Sequence, residues 1–452
     1  MSQSNYDPKG KRTIVNLLTD PFRKFTEIEA TSSLVLLSMT VLALVWANSP
    51  WGHIYEHLKH FPIGFSIGDM EVKMGLEHWI NDGLMAIFFF VVGMEIKREM
   101  VMGELSSRSK AMFPVLGALG GMIVPAGIYY SIHRHTPAAH GWGIPMATDI
   151  AFAIAALTIF GKRVPIGLKI FLLALAIADD LGAVAVIAVF YTNEISFMAL
   201  GGAAGIFALT YLSNVSGIRS FYYYTVIGAI GWLFMHASGV HATIAGVIIG
   251  FLTPTNALKI NEGLEDHARN ALRTLLDSAV NIEQKGPDPH TRHQLVRQVH
   301  AVSQHAISPL DFLTNQLHGW VAFLIMPVFA LANAGVVLDT ETLGHPLAVR
   351  TAFAVSLGLL LGKPIGITLA AWLGVKLGVA QLPKGVNWVT VAATGVLAGI
   401  GFTVALFVTA LAFDDQTLVA GAKVGILIGS FLATMIGMGL LWVALPKDAG
   451  GS

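Results

Sequence analysis

The run Ile170–Tyr191 reads IFLLALAIADDLGAVAVIAVFY and is apolar throughout except for Asp179 and Asp180 near its middle. As a helix crossing a bilayer, it places each end about 15 Å from that pair, so the carboxylates lie close to the midplane. One ionised Asp at that depth costs roughly 2.5–3.5 kcal/mol even on the lenient insertion scale. Two neighbours add mutual repulsion, because each disfavours ionisation of the other. Successive helix positions point about 100° apart, so one carboxylate can face a cavity while the other faces a neighbouring helix. Acids placed there mark ion or proton pathways. The alternative is a protonated, hydrogen-bonded structural pair.

The surrounding chain fits that setting. Of 452 residues, 54% are hydrophobic and only 12% charged, and the formal net charge is +0. Soluble domains carry about 25% charged residues, so half that share indicates a polytopic membrane protein. The absence of cysteine excludes disulfides and thiolate metal sites. The polar, basic start MSQSNYDPKGKRTIVNLLTDPFRKF is not read as a signal peptide. No nucleic-acid partner is expected; the environment is a lipid bilayer.

Apolar runs place about twelve spans, near 31–49, 78–97, 111–131, 143–160, 167–191, 197–212, 221–236, 239–252, 317–337, 347–374, 388–412 and 418–444. Lys9, Lys11, Arg12, Arg23 and Lys24 precede the first span, and Lys97, Arg98, Arg108 and Lys110 follow the second. Lys162, Arg163 and Lys169 follow the fourth. With the amino terminus inside, these basic residues all fall on the cytoplasmic side, and both termini are cytoplasmic. The expected organisation is a cytoplasmic segment 1–30, spans one to eight within 31–252, a cytoplasmic insertion 253–316, spans nine to twelve within 317–444, and a tail 445–452.

Between the first two spans, Ile63, Phe65 and Ile67 alternate toward Gly68-Asp69, and Met70, Val72 and Met74 alternate away. That pattern reads as a β-hairpin over about 61–74. Its edge either pairs with a second copy or packs on its own subunit. In the 254–316 insertion, Leu264, Ala268, Ala271, Leu272, Leu275, Leu276 and Ala279 share a helix face. The breaker Lys285-Gly286-Pro287-Asp288-Pro289 separates it from a second helical pattern. His267, His290, His293, His300 and His305 there are either pH-responsive or plain solvated side chains.

Further polar residues punctuate the spans. Span two holds Asp82 near its outer end, in an access funnel or simply at the interface. Its inner end holds Glu95, Lys97, Arg98 and Glu99, a pattern that also suits a salt-bridged, snorkelling helix end. Span four has Pro145 followed by Thr148-Asp149, and span eleven crowds Gly395, Gly399 and Gly401 beside Thr403. Each reads as a discontinuous helix whose broken ends expose partial charges that Asp149 can offset. These two are the central members of span triplets three to five and ten to twelve, which run in opposite senses. Such an arrangement is the inverted repeat of secondary transporters, with the site at the crossing. Span ten carries Lys363 in LLLGKPIG, which either pairs with the aspartates or snorkels to the inner surface.

Three carboxylates (Asp149, Asp179, Asp180) against one ammonium (Lys363) leave a net charge of −2 when all are ionised. Burial raises the carboxylates' affinity for protons, and the same oxygens suit a small hard cation. Protons and cation then compete for one site, which under alternating access is antiport. A proton gradient and the membrane potential supply the work, about 2.3 kcal/mol per charge per 100 mV, so no cofactor is called for.

The segments WINDGLMAIFFFVVGMEIKRE, FPVLGALGGMIVPAG, ATDIAFA, RVPIGLKIFLLALAIADDLGA, SGVHATIAGV, LANAG, LLLGKPIG and GIGFT, in that order over about 78–430, closely resemble the NhaA-type sodium/proton antiporters. Inverted repeats are already described for that family, so the topology reading and the resemblance are not independent. The resemblance implies an all-α fold with two discontinuous crossing helices and a small extramembrane hairpin. It implies an electrogenic exchanger of a bacterial inner membrane that exports Na+ or Li+ against H+ and is activated at alkaline pH. Asp180 then corresponds to the main cation and proton ligand, with Asp179 beside it and Lys363 as the pair's charge partner. Thr148 and Asp149 belong to the unwound crossing, and Asp82 to the translocation path. Glu95, Arg98, Glu99, His241 and His318 match positions tied to pH response. The family also dimerises through the hairpin, which favours a homodimer here. Two features depart from the pattern: the long 254–316 segment, and Thr314 and Asn315 where an acid and a histidine are expected.

Three other classes fit this sequence less well. An intramembrane enzyme lacks its motifs here: there is no HExxH or Gly-x-Gly-Asp, and GFSIG at 64–68 falls in the alternating hairpin pattern, not in a strand-to-helix nucleophile elbow. A passive channel has no need of a proton-competitive carboxylate pair. The main alternative, a proton- or sodium-coupled symporter of a small solute, calls for a roomier pocket than these few, mostly acidic residues offer.

Overall fold

The computed structural model describes residues 14–67, 70–192, 195–256, 308–337 and 344–446. It is an all-α polytopic membrane protein with one small hairpin. The elements are α1 (Ile14–Ala47), α2 (Gly52–Lys59), β1 (Pro62–Ile67), β2 (Met70–Gly75) and α3 (Leu76–Met102). After α4 (Arg108–His133) comes a 3-10 helix, Pro137–Met146, then α5 (Ile150–Thr158) and α6 (Ile166–Phe190). There follow α7 (Phe197–Val215), α8 (Phe221–Ala237) and α9 (Thr243–Leu252). The last are α10 (Pro309–Asn333), α11 (Pro346–Lys376), α12 (Trp388–Ala398), α13 (Phe402–Ala412) and α14 (Gln416–Ala444).

Among the described residues, 8 helices are long and apolar enough to cross a membrane, or 10 if each sharply bent pair counts as one span. The bent pairs are α1 with α2, at 113°, and α12 with α13, at 48°. α8 and the ten-residue α9 are shorter. Many exposed side chains are large and apolar, such as Met198, Phe197, Val443 and Ile159. Such a surface suits hydrocarbon, which is as apolar as these side chains. Two helices begin earlier than the apolar runs: α1 at Ile14 and α10 at Pro309. Hydropathy marks where a helix enters lipid, not where its backbone starts winding. At α10 the start is set by Ser308, whose Oγ accepts the Asp311 amide at 3.0 Å, with Pro309 at the first helical position. The insertion's helical patterns, and all five of its histidines, lie outside the described residues.

The chain divides into two compact units. The first comprises Met1–Asn81, Glu104–Tyr191 and Val321–Ser452. At its centre α4 packs against α6 and α11. Gly120 and Gly366 bring the α4 and α11 backbones into contact; a Cβ on either would overlap the other's carbonyl oxygen. Phe113 of α4 packs on Phe171 of α6 with ring centroids 5.0 Å apart. The strands β1 and β2 pair antiparallel, Ile63 opposite Met74 and Ile67 opposite Met70.

The second unit comprises Asp82–Gly103 and Thr192–Trp320. In it α3 and α9 lie so close that Gly93 meets the Val247 backbone and Gly246 meets the Ala86 carbonyl.

Candidate cation and proton site

Asp179 and Asp180 both sit in the buried middle of α6, each 3% exposed. Lys363 opens the regular part of α11 and is 1% exposed. It follows a widened π-turn, Gly358–Gly362, and precedes Pro364. A proline ring needs space in the preceding turn and leaves a carbonyl without its amide partner; the wide turn accommodates both. The Lys363 ammonium donates to Asp179 Oδ2 and, at 2.8 Å, to Thr148 Oγ1. Its partner is therefore an aspartate, and snorkelling to the inner surface is not what this side chain does. The charge of Asp180 also acts on Lys363. Asp179 Oδ1 is buried and has no hydrogen-bond partner. Most buried acceptor oxygens have a hydrogen-bond partner, so this one stands apart from the site's other polar atoms.

Two broken segments meet beside this group. After the 3-10 helix, Ala147 and Asp149 are extended, so the break falls just past Pro145. The other break, Gly399–Gly401, separates α12 from α13. Each supplies what the other lacks. Thr148 Oγ1 donates to the Ala398 carbonyl at 2.8 Å and the Asp149 amide to the Ile400 carbonyl at 2.6 Å. These are orphan carbonyls at the end of α12. In return, Asp149 Oδ1 accepts the Phe152 amide at 3.3 Å, capping α5. Its Oδ2 accepts the Thr403 amide at 3.1 Å and the Thr403 hydroxyl at 2.5 Å, at the start of α13. One carboxylate thus serves the positive ends of two helices. Ser430 of α14 accepts the neighbouring Phe402 amide at 3.3 Å.

The remaining sequence candidates belong to the second unit and form two groups. Glu95 and His318 face each other, Oε1 to Nδ1 3.9 Å, with Arg98 and Glu99 acting electrostatically on Glu95. Lys97 donates to the Thr253 carbonyl at 2.6 Å. Thr314 is buried against Met94, its hydroxyl 3.9 Å from the sulfur. His241 is not part of that group: its Nε2 lies 3.6 Å from Asp82 Oδ1.

Residues 23–441 match the family described as Na+/H+ antiporter 1. The chain belongs to the NhaA-type Na+/H+ antiporter family. It is 45% identical over 428 residues to the Na(+)/H(+) antiporter NhaA of Rhodopirellula baltica, covering 94% of each chain. It is 44% identical to the Na(+)/H(+) antiporter NhaA 2 of Sorangium cellulosum over 97% of this chain and 93% of that one. Against the Na(+)/H(+) antiporter NhaA of Oleidesulfovibrio alaskensis the identity is 47%, over 95% of each.

In this NhaA-type chain, sequence reasoning singled out both members of the Lys363–Asp179 pair. It named Thr403 only as part of a glycine-rich break and missed its bond to Asp149. It also missed the reciprocal amide pair of Asn81 and Asn333, whose closer bond is 2.8 Å. The signal for that pair was two asparagines inside apolar spans, in WINDG and LANAG.

Proposed function

We propose that this chain exchanges Na+ or Li+ for protons across a bacterial inner membrane, electrogenically and by alternating access, with activation at alkaline pH. Its cargo site is Asp180 and Asp179 with Thr148. Lys363 compensates the pair's charge, Asp149 compensates the two helix ends, and Asp82 lies in the path of the cation. Glu95, Arg98, Glu99, His241 and His318 tune the response to pH. The observation that carries this reading is the buried, unpartnered Asp179 oxygen beside Asp180, with one ammonium against three carboxylates. A cation filling that place displaces protons, and protons returning displace the cation. Twelve crossings, inverted triplets with crossed broken helices, cytoplasmic termini, and a homodimer joined through the 61–74 hairpin complete the proposal. The two-stranded sheet supports the last of these, since a short hairpin can extend by pairing with a second copy. The carrier uses no cofactor.

The test is a proteoliposome assay with a pH-sensitive dye. Na+ or Li+ added to vesicles holding an acid-inside gradient collapses it, whereas K+ does not. A gradient indifferent to all three ions overturns the proposal.

A further inference from the structure

Tyr191 caps the C-terminal end of α6, the helix that carries Asp179 and Asp180, and it is buried. Its hydroxyl donates to the His140 carbonyl at 2.9 Å and accepts the Gly143 amide at 3.3 Å. Both partners belong to the 3-10 helix Pro137–Met146, which runs directly into Ala147, Thr148 and Asp149. One hydroxyl thus ties the helix bearing the carboxylates to the segment bearing Thr148. Ring contacts reinforce the tie: His140 stands edge-on to Tyr191 with centroids 5.2 Å apart, and Trp142 to Phe190 at 5.0 Å. Gly143 leaves room for it, since a Cβ there would lie 2.8 Å from the tyrosine oxygen.

A 3-10 helix of 10 residues is long for its kind, because the hydrogen bonds of that winding are poorer than those of an α-helix. Two tyrosines supply outside bonds to it. The second is Tyr129 of α4, fully buried, whose hydroxyl donates to the Ala138 carbonyl at 2.9 Å. The two differ in what they join. Tyr129 holds the segment to α4, which contributes no oxygen to the cargo site, whereas Tyr191 holds it to the helix of the carboxylates. At the site itself Lys363 bridges the same two segments, bonding Asp179 and Thr148. That bridge hangs on a flexible four-carbon stem, and the tyrosine is a rigid ring on two rotatable bonds.

We propose that Tyr191 is a positioning residue that sets the spacing between Thr148 and the α6 carboxylates, and through it the preference between Li+ and Na+. This rests on the reading of Asp180, Asp179 and Thr148 as the cargo oxygens. Selectivity between hard cations follows the size of the cavity and the rigidity of its oxygens. Li+ is the smaller ion and needs its oxygens closer. With the strut in place the two segments keep a fixed separation. Without it they drift apart, and Li+ loses more than Na+.

The experiment measures apparent KM for Na+ and for Li+ in proteoliposomes for wild type, Y191F and Y129F. Y191F keeps the ring and removes the hydroxyl. It raises the ratio of the Li+ value to the Na+ value by about threefold, within the worth of one neutral hydrogen bond. Y129F removes a bond to the same 3-10 helix and leaves the ratio where wild type has it. An unmoved ratio in Y191F, or a similar shift in Y129F, overturns the inference alone. If Li+ binds without being carried, its inhibition constant against Na+ replaces its KM. A wild type that exchanges neither ion overturns the function proposed above and this inference with it. Should Y191F not fold, G143A decides: its methyl pushes the tyrosine oxygen off the Gly143 amide and moves the ratio the same way, and an unmoved ratio overturns the inference.

Discussion

Thr403 lies 254 positions after Asp149 and gives the same carboxylate oxygen both its amide and its hydroxyl. The two residues stand at the starts of α13 and α5, so this contact holds two helix ends that would otherwise leave buried donors unmet. The hydroxyl's share is separable from the backbone's. T403V loses one hydrogen bond to a charged group, about 1.5–3 kcal/mol, and T403S keeps it. Thermal unfolding in detergent shows a lower Tm for T403V and a nearly wild-type value for T403S. Equal values for all three chains contradict the assignment.

Asp180 is buried beside Asp179 in the middle of α6 and is the proposed main ligand for cation and proton. D180N keeps the shape and removes the charge and the exchangeable proton. The expected result is loss of the Na+-driven collapse of ΔpH, with the purified variant still folded by circular dichroism. Full activity in D180N removes Asp180 from the site.

Removing Lys363 strands a buried negative charge. Breaking a buried pair from one side is worth about 3–5 kcal/mol, because the remaining charge is left in low dielectric. K363A accordingly melts well below wild type, and its activity profile moves along the pH axis. A double variant K363A/D179N recovers part of the stability, since the orphaned charge is then gone. An unchanged melting curve for K363A denies the pair its energetic role.

Competition between protons and cation fixes a sign. Protons occupy the carboxylates as pH falls, so apparent KM for Na+ rises on acidification, by at most about tenfold per pH unit for each proton displaced. Isothermal titration of Na+ into detergent-solubilised protein in two buffers of different ionisation enthalpy reports the released protons directly. Binding of equal strength from acid to alkaline pH, with no proton release, contradicts a shared site.

Much of this arrangement was legible before any coordinates. A charge in an apolar run announces itself, so Asp179, Asp180 and Lys363 stood out one by one. Their partnership followed from charge balance. Pro145 and the glycines of GIGFT announced the two breaks. The atoms that join the breaks did not show, because the Ala398 and Ile400 acceptors are backbone carbonyls that leave no mark on residue identity. Thr403 was visible only as a polar residue near glycines; which carboxylate it serves depends on a contact across most of the chain. Helix starts were misplaced for the same kind of reason: α10 begins with the polar stretch PLDFLTNQ, which hydropathy ignores and Ser308 caps.

The glycine seam between α4 and α11 constrains how such a carrier can move. With Gly120 and Gly366 in backbone contact, sliding one span past the other by a turn drives bulky side chains into the opposing chain. A seam kept through the transport cycle would make the two helices a single plank with Lys363 on it. A covalent staple across that seam is then expected to leave the Na+-driven collapse of ΔpH intact, and a stapled protein without exchange would show that the seam opens.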